Sequence, residues 1–149
     1  MNALIANAAP STRTGTPVVT PFFDAESNTF SYIVKDPNSE ACAIIDSVLD
    51  LNYASGTISH ESADAIIKFV HDNKLRVEWI IETHAHADHI SAGHYLRDEL
   101  GGKLAIGEQI KVVQKVFSGI YNIEKKVAAD GSQFDHLFTD NETYMIGSL

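Results

Sequence analysis

A seven-residue stretch, Thr-His-Ala-His-Ala-Asp-His at 83–89, constrains this chain more than any other feature. It places four side chains that can bind a metal ion within the six positions 84–89. The residues before it, 77–82, are mostly β-branched or aromatic, a pattern typical of a strand that is buried on at least one face. The stretch therefore predicts a metal-binding turn that leaves from a rigid support.

The spacing of the four side chains lets them share one pocket. In an extended backbone successive side chains point to opposite sides, so His84 and His86 project the same way and can bind one ion. Asp88 and His89 come where the chain must curve before Ser91 begins a helix, and they can face the same cavity from another side. We predict that His84, His86, Asp88 and His89 are metal ligands.

The donor types favour a catalytic site over a structural one. Imidazole nitrogen and carboxylate oxygen suit zinc, iron or manganese, and the cluster offers no thiolate of the kind that structural zinc sites use. Surface histidines can cluster by accident, but that explanation fits poorly when the cluster directly follows a buried strand. Catalytic sites use fewer protein ligands than structural ones and leave a coordination position open.

The stretch 84–89 resembles the His-x-His-x-Asp-His motif of the metallo-β-lactamase superfamily, whose fold is an αββα sandwich with the metal at the sheet edges. Other segments resemble one branch of it, the bacterial β-lactamase hydrolase-like proteins and persulfide dioxygenases. These segments are 21–24, 43–50, 54–56, 62–67 and 130–135. The similarity runs from about Pro17 to Leu149.

The resemblance implies an α/β (α+β) fold in which residues 17–149 form the N-terminal half of the sandwich, with one mixed sheet and covering helices. Residues 1–16 are expected to be a flexible arm. The family continues after the Ile-Gly-Ser-Leu sequence found at 146–149 into a second set of metal ligands, and we expect this chain to stop before them. A sheet face left uncovered in this way would favour a homo-oligomer.

The resemblance implies persulfide dioxygenase activity as the first hypothesis, because the similarity outside the motif points to that branch. In those enzymes one ferrous ion, held by two His and one Asp, oxidises glutathione persulfide with O₂ to sulfite and glutathione. Of these ligands only His84 maps onto this sequence. His86, Asp88 and His89 would then orient water and His84 from outside the coordination sphere.

Two other hypotheses stay open. In a dinuclear zinc hydrolase of thioesters, such as hydroxyacylglutathione, or of lactams, two ions activate the attacking water. His84 and His86 would hold the first ion and Asp88 and His89 the second, with Asp88 also steering the nucleophile as a catalytic residue. Alternatively, the chain is an inactive truncated or split product that binds metal weakly.

Composition narrows the range of partners. The net charge of −9, from 20 acidic and 11 basic residues, works against binding to nucleic acid or anionic lipid. No apolar run approaches the roughly 20 residues that span a bilayer, so we expect no membrane role.

Cys42 is the single cysteine and cannot form an internal disulfide, which fits a reducing compartment. It lies in an apolar strand pattern, where we expect it to be a packing residue. We predict a cytoplasmic protein whose partner is a small-molecule thiol or thioester, glutathione persulfide in the first hypothesis.

Sequence patterns also place the secondary structure. We predict strands at 17–23, 30–35, 41–46, 77–83, 103–106 and 143–146. We predict one helix capped by Ser59 or Ser62, one that follows Ser91 and one at 108–117, with loops at 52–59 and 121–140.

Three residues keep two interpretations each. Asp46 is either a group near the metal or a strand terminator. His94 is either an outer neighbour of the site or a surface residue. His136 is either a contact to substrate or metal, or an ordinary loop histidine.

Overall fold

The computed structural model describes residues 4–5, 15–122 and 128–149. The strands are β1 Leu4–Ile5, β2 Val18–Asp24, β3 Thr29–Lys35, β4 Ala41–Ile45, β5 Val48–Asn52, β6 Thr57–Ser59, β7 Arg76–Ile81, β8 Ile90–Ser91, β9 Lys103–Gly107 and β10 His136–Phe138. The helices are α1 Glu61–Asp72, α2 Gly93–Leu100 and α3 Ile110–Tyr121. None of these helices is long and apolar enough to cross a membrane.

The main sheet is mixed. Within the described residues its strand order is β1-β2-β3-β4-β7-β9-β10. Strands β2, β3 and β4 form the predicted antiparallel meander, and β4, β7, β9 and β10 run parallel. Parallel strands end at the same edge of a sheet, so the residues that follow β4 and β7 come together there. This edge holds both Asp46 and the 83–89 stretch.

The core lies between one sheet face and helices α1 and α2. Apolar side chains alternate along the strands so that one set meets the helices. The buried members of this cluster are Phe22, Ile33, Cys42, Ile44, Ala63, Ile66, Val70, Val77, Ile80, Ala92, Leu96 and Leu104. Cys42 is fully buried, as expected of a packing residue, and burial raises the pKa of its thiol to about 11.

The opposite sheet face is apolar and aromatic. Ala41, Ala43 and Ile146 form a small buried cluster there, with Trp79 packed against it. The Trp79 ring also contacts other aromatic rings, those of His136, Phe138 and Tyr144. Phe30 lies on this face and is exposed.

The predicted cap of α1 was wrong. The helix begins at Glu61 with His60 at the cap position, and no side chain of the cap residue bonds to it. Instead Asp50 of β5 accepts from the Ser62 backbone N–H at 2.9 Å and from Ser62 Oγ at 2.6 Å. The acceptor for the first turn of α1 therefore comes from Asp50, twelve residues upstream of Ser62, and not from the hydroxyl of Ser59 or Ser62.

Three other segments differ from their prediction. Residues 52–59 are not a simple loop, because β5 and β6 form an antiparallel hairpin there. The predicted loop 121–140 contains β10, which pairs with β9, while 123–127 lies outside the described residues. Residues 143–146 form no strand; the Trp79 indole N–H donates to the Met145 carbonyl at 2.9 Å, which fixes this segment across the sheet rather than along an edge.

The predicted N-terminal arm is described only in part. Residues 1–3 and 6–14 lie outside the described residues, and Leu4–Ile5 pairs antiparallel with Phe22 and Phe23 of β2.

Candidate metal centre

The 83–89 stretch lies in the loop between β7 and β8, at the edge where the parallel strands end. His84, His86 and His89 line one cleft with a volume of about 370 Å³. The opposite wall of the cleft is apolar and comes from β9, α3 and the segment that precedes β10. Its residues are Leu104, Ile106, Ile110 and Phe134.

The structure brings the four predicted ligands together around His86. The ring centre of His86 is 4.2 Å from that of His84 and 4.1 Å from that of His89. Asp88 is exposed at the rim, with Oδ1 3.7 Å from His86 Nδ1 and 3.5 Å from His89 Nδ1. Ligand atoms of His86, Asp88 and His89 lie within 4.8 Å of one another, and so do those of Asp46, His84 and His86.

The buried imidazoles fit a metal ion. Nδ1 of His86 and both ring nitrogens of His89 are buried without a hydrogen-bond partner among the described residues. The two side chains are only 5% and 3% exposed, so water cannot readily satisfy them. Buried polar atoms normally have partners, and leaving one without is costly. A cation held by these nitrogens would remove that cost, and a set of imidazoles and one carboxylate accepts iron and zinc alike.

Asp46 belongs to the site. It follows β4 with a positive φ of 50°, which turns its carboxylate toward the loop on β7. There it accepts from the Thr83 backbone N–H and from Thr83 Oγ1, both at 2.7 Å, and lies 3.1 Å from His86 Nε2. Although burial opposes the shift, these contacts hold the pKa of Asp46 below its ordinary value. Of its two interpretations, the group near the metal is the one that the structure favours.

Glu82 is the site residue that the sequence analysis missed. Its side chain is 4% exposed, with Oε2 2.8 Å from His86 Nε2 and Oε1 accepting from Ser91 Oγ at 2.5 Å. Burial alone would lower the pKa of His86, but Asp46 and Glu82 together raise it to about 10. The available signal was an acidic residue directly after an apolar strand and directly before the metal-binding stretch.

The remaining candidate histidines differ in position. His94 lines the cleft from the first turn of α2 and is exposed. His136 lies on the aromatic sheet face, where its Nε2 is 2.7 Å from Glu142 Oε1 and its ring meets Trp79. His136 is not among the residues that line the cleft.

Known proteins are similar to this chain over most of its length. The family model of the metallo-beta-lactamase superfamily matches residues 25–140. Glyoxylase B2 of Dictyostelium discoideum is 49% identical over 129 residues, which is 86% of this chain and 44% of that protein. The mitochondrial persulfide dioxygenase ETHE1 of Bos taurus is 33% identical over 92 residues, 61% of this chain and 32% of that protein. The chain thus spans less than half the length of these relatives.

A solved structure supports the fold. The crystal structure of the BLEG-1 B3 metallo-beta-lactamase aligns with a TM-score of 0.58 at 19% identity, over 87% of this chain and 57% of that one. Similarity at this level of identity concerns the backbone arrangement alone. The predicted α/β fold with a mixed sheet and covering helices is confirmed.

Proposed function

Because the chain belongs to the metallo-β-lactamase superfamily, we propose that its loop 82–89 binds a first-row metal ion at the active site of an enzyme. The substrate of this enzyme is a small-molecule thiol derivative or thioester. The observation that carries this proposal is a set of buried imidazole nitrogens of His86 and His89 that find no hydrogen-bond partner in the described part of the chain. They lie beside a cleft with one apolar wall.

Each residue of the loop has a role in this proposal. When bound, the ion would supply Lewis-acid polarisation or, in the case of iron, a place for O₂. His84 would bind through Nε2, because its Nδ1 lies 2.9 Å from Thr83 Oγ1, and His86 would bind through Nδ1. Asp88, at the rim, would orient water or hold a second ion with His89. Phe134 and its apolar neighbours would exclude water from the opposite side of the cleft.

The first candidate activity is oxidation of glutathione persulfide with one iron ion. It is supported by the resemblance of the segments outside the motif and by the identity with the bovine persulfide dioxygenase. It requires only His84 from this loop, and among the three histidines at 84–89 His84 is the exposed one. His86, Asp88 and His89 would then hold water and the loop in place.

The second candidate is hydrolysis of a thioester such as hydroxyacylglutathione, or of a lactam, with two zinc ions. It is favoured by the nitrogens of His86 and His89 that lack a hydrogen-bond partner within 4–5, 15–122 and 128–149, which are best explained if both imidazoles bind metal directly. The identity with glyoxylase B2 supports it as well. Lactams aside, both candidates act on a sulfur-linked small molecule, and they differ in whether His86, Asp88 and His89 bind metal directly.

One experiment separates them. The chain is loaded anaerobically with Fe(II) or with Zn(II), and O₂ uptake with glutathione persulfide is compared with loss of thioester absorbance from hydroxyacylglutathione. His84→Ala should abolish either activity. His89→Ala should lower thioester cleavage by about 100-fold or more if His89 is a ligand, but O₂ uptake by only about tenfold if it acts from outside the coordination sphere.

The control is His71→Ala, an exposed residue on α1 whose loss should change neither rate. Thioester cleavage with zinc and no O₂ uptake would remove the first candidate. Metal binding without either activity would favour the third hypothesis, a chain that binds metal without turnover. A chain that binds neither ion would overturn the proposal itself.

A further inference from the structure

We infer that Glu82 is a positioning residue, which holds the His86 ring so that Nδ1, rather than Nε2, faces the cleft as the metal-binding atom. This inference rests on the proposed function, since it assigns a role around the same site. It concerns a residue that lies outside the His-x-His-x-Asp-His pattern, on the support side of the loop.

The direction of the hydrogen bond follows from the chemistry of the two groups. A carboxylate only accepts, so His86 Nε2 must carry the hydrogen that lies between it and Glu82 Oε2, 2.8 Å away. A ring that keeps its hydrogen on Nε2 can bind a metal only through Nδ1, which gives up any hydrogen of its own when the metal binds. Nδ1 is the buried nitrogen of His86 that has no hydrogen-bond partner among the described residues, and it lies on the side of Asp88.

The Glu82 carboxylate is itself held in place. Its Oε1 accepts from Ser91 Oγ at 2.5 Å, and Ser91 Oγ accepts from the backbone N–H of Gly93 at 2.9 Å, where α2 begins. A methyl group added at Gly93 would come within 2.8 Å of Glu82 Oε1 and 2.7 Å of Leu104 Cδ1. The carboxylate therefore fills a space with little room to move, and it connects the metal loop to the start of α2.

Two carboxylates approach the same nitrogen, and their other contacts separate their roles. Asp46 lies 3.1 Å from His86 Nε2, farther than Glu82, and both of its oxygens accept from Thr83. Nε2 has one hydrogen, so the shorter contact, the one with Glu82, is the stronger hydrogen bond. Asp46 thus holds Thr83 and the start of the loop, while Glu82 orients the ring of His86.

The test uses Glu82→Ala and Glu82→Gln, with Glu78→Gln on β7, the strand that Glu82 follows, as the matched control. Glu78 is a partly buried carboxylate whose partners are Arg76 and the Gly147 N–H. Two quantities are measured: the His86 ring N–H resonance in metal-free protein by ¹H–¹⁵N NMR, and the Zn(II) dissociation constant by competition with a chelator. The first readout requires no metal and no activity.

We expect Glu82→Ala to lose the exchange-protected Nε2–H resonance and to bind Zn(II) about 10- to 100-fold more weakly, the usual effect of removing a residue that orients a ligand. Glu82→Gln keeps an oxygen acceptor, so it should recover the resonance and part of the affinity. Glu78→Gln should leave the resonance in place and bind within about twofold of the parent chain.

A folded Glu82→Ala variant that keeps both the resonance and the affinity would overturn the inference. If that variant does not fold, Ser91→Ala decides, because it removes the hydroxyl that holds Oε1 and leaves the carboxylate in place. We expect Ser91→Ala to weaken Zn(II) binding and to speed exchange of the resonance, and no change in either would overturn the inference. Failure of the parent chain to bind Zn(II) would contradict the proposed function, and the resonance would still test Glu82.

Discussion

Asp46 and Thr83 show how a neighbouring strand orients a metal-binding histidine. The Thr83 hydroxyl lies 2.7 Å from Asp46 Oδ2 and 2.9 Å from His84 Nδ1. Since the carboxylate can only accept, the hydroxyl gives its hydrogen to Asp46 and accepts one from His84 Nδ1. The lone pair of the His84 ring then sits on Nε2, the nitrogen left for a metal.

Replacing Asp46 by Asn should disturb this arrangement with little change in shape. An amide has one oxygen where the carboxylate has two, so the Thr83 N–H and hydroxyl can no longer donate to separate oxygens. We expect Zn(II) affinity to fall by about tenfold, measured by competition with a chelator. Asp72→Asn, at an exposed site on α1, is the control. Equal affinities of the Asp46→Asn and parent chains would show that Asp46 has no part in orienting His84.

The sequence predicts the ligands of this site better than their supports. The four donors at 84–89 are close along the chain, so local spacing was enough to identify them. Asp46 contacts Thr83 across 37 positions, a contact that depends on β4 and β7 being neighbours in the sheet. Glu82 contacts His86 only four positions away, but the direction in which the loop bends decides that contact. Spacing alone cannot supply either piece of information.

At the scale of elements, the start of α1 depends on β5. The Asp50 carboxylate accepts from the N–H and the hydroxyl of Ser62 in the first turn of the helix. A negative charge at that end also interacts favourably with the helix dipole. One side chain therefore joins the small sheet to the helix that covers the main sheet.

We expect Asp50→Ala to destabilise the chain by about 1 kcal/mol, the usual cost of losing a helix cap, and to lower Tm by roughly 2–4 °C. Ser59→Ala, at the position that the sequence suggested as a cap, should have no such effect. Thermal unfolding followed by circular dichroism compares the two variants. A larger loss in Ser59→Ala than in Asp50→Ala would mean that the helix is capped as the sequence had indicated.

The elements that were predicted are those whose signals are local. The meander has turn residues between alternating strands, and α1 and α3 have apolar residues at helical spacing. Strand β10, by contrast, has three residues and forms because β9 lies beside it. The segment 143–146 has apolar side chains suited to a strand, but the Trp79 indole N–H donates to the Met145 carbonyl, and Glu78 accepts from the N–H of Gly147 just beyond it. These bonds hold the segment across the sheet instead. Tertiary contacts decided both outcomes.

At the scale of the whole molecule, Asp36 connects the turn between β3 and β4 to Ser148, 112 positions later. Its buried carboxylate accepts from the Asn38 and Ser148 backbone N–H groups and from the hydroxyls of Ser39 and Ser148. The pKa of Asp36 is held well below its ordinary value of 3.8, mainly by the hydrogen bond from the Asn38 backbone N–H and next by that from the Ser148 backbone N–H. A carboxyl with a lowered pKa in the folded state stabilises the fold above its unfolded pKa.

The lowered pKa of Asp36 determines how the stability of the fold depends on pH. The stabilisation by Asp36 should be complete at neutral pH and should decrease as the pH falls below 3.8. Asp36→Asn should therefore be less stable than the parent chain at neutral pH, with the gap in unfolding free energy narrowing in acid. Urea titrations across that range measure the gap. A gap that stays constant or widens in acid would show that the ionised carboxylate is not the stabilising form.

The aromatic sheet face opposite α1 and α2 should make the chain self-associate. Tyr144 is exposed there beside Trp79 and Phe138, and Phe30 is exposed farther along, where its ring contacts that of Tyr32. Exposed apolar patches of this kind commonly mark interfaces. We expect the weight-average sedimentation coefficient of the parent chain to rise with concentration, and Phe30→Lys to suppress that rise, because a charge would have to be buried in the contact. Val116→Lys, on the exposed apolar side of α3, should behave like the parent chain. A parent chain that sediments as a monomer at every concentration would contradict the prediction, and suppression by Val116→Lys alone would place the contact on α3.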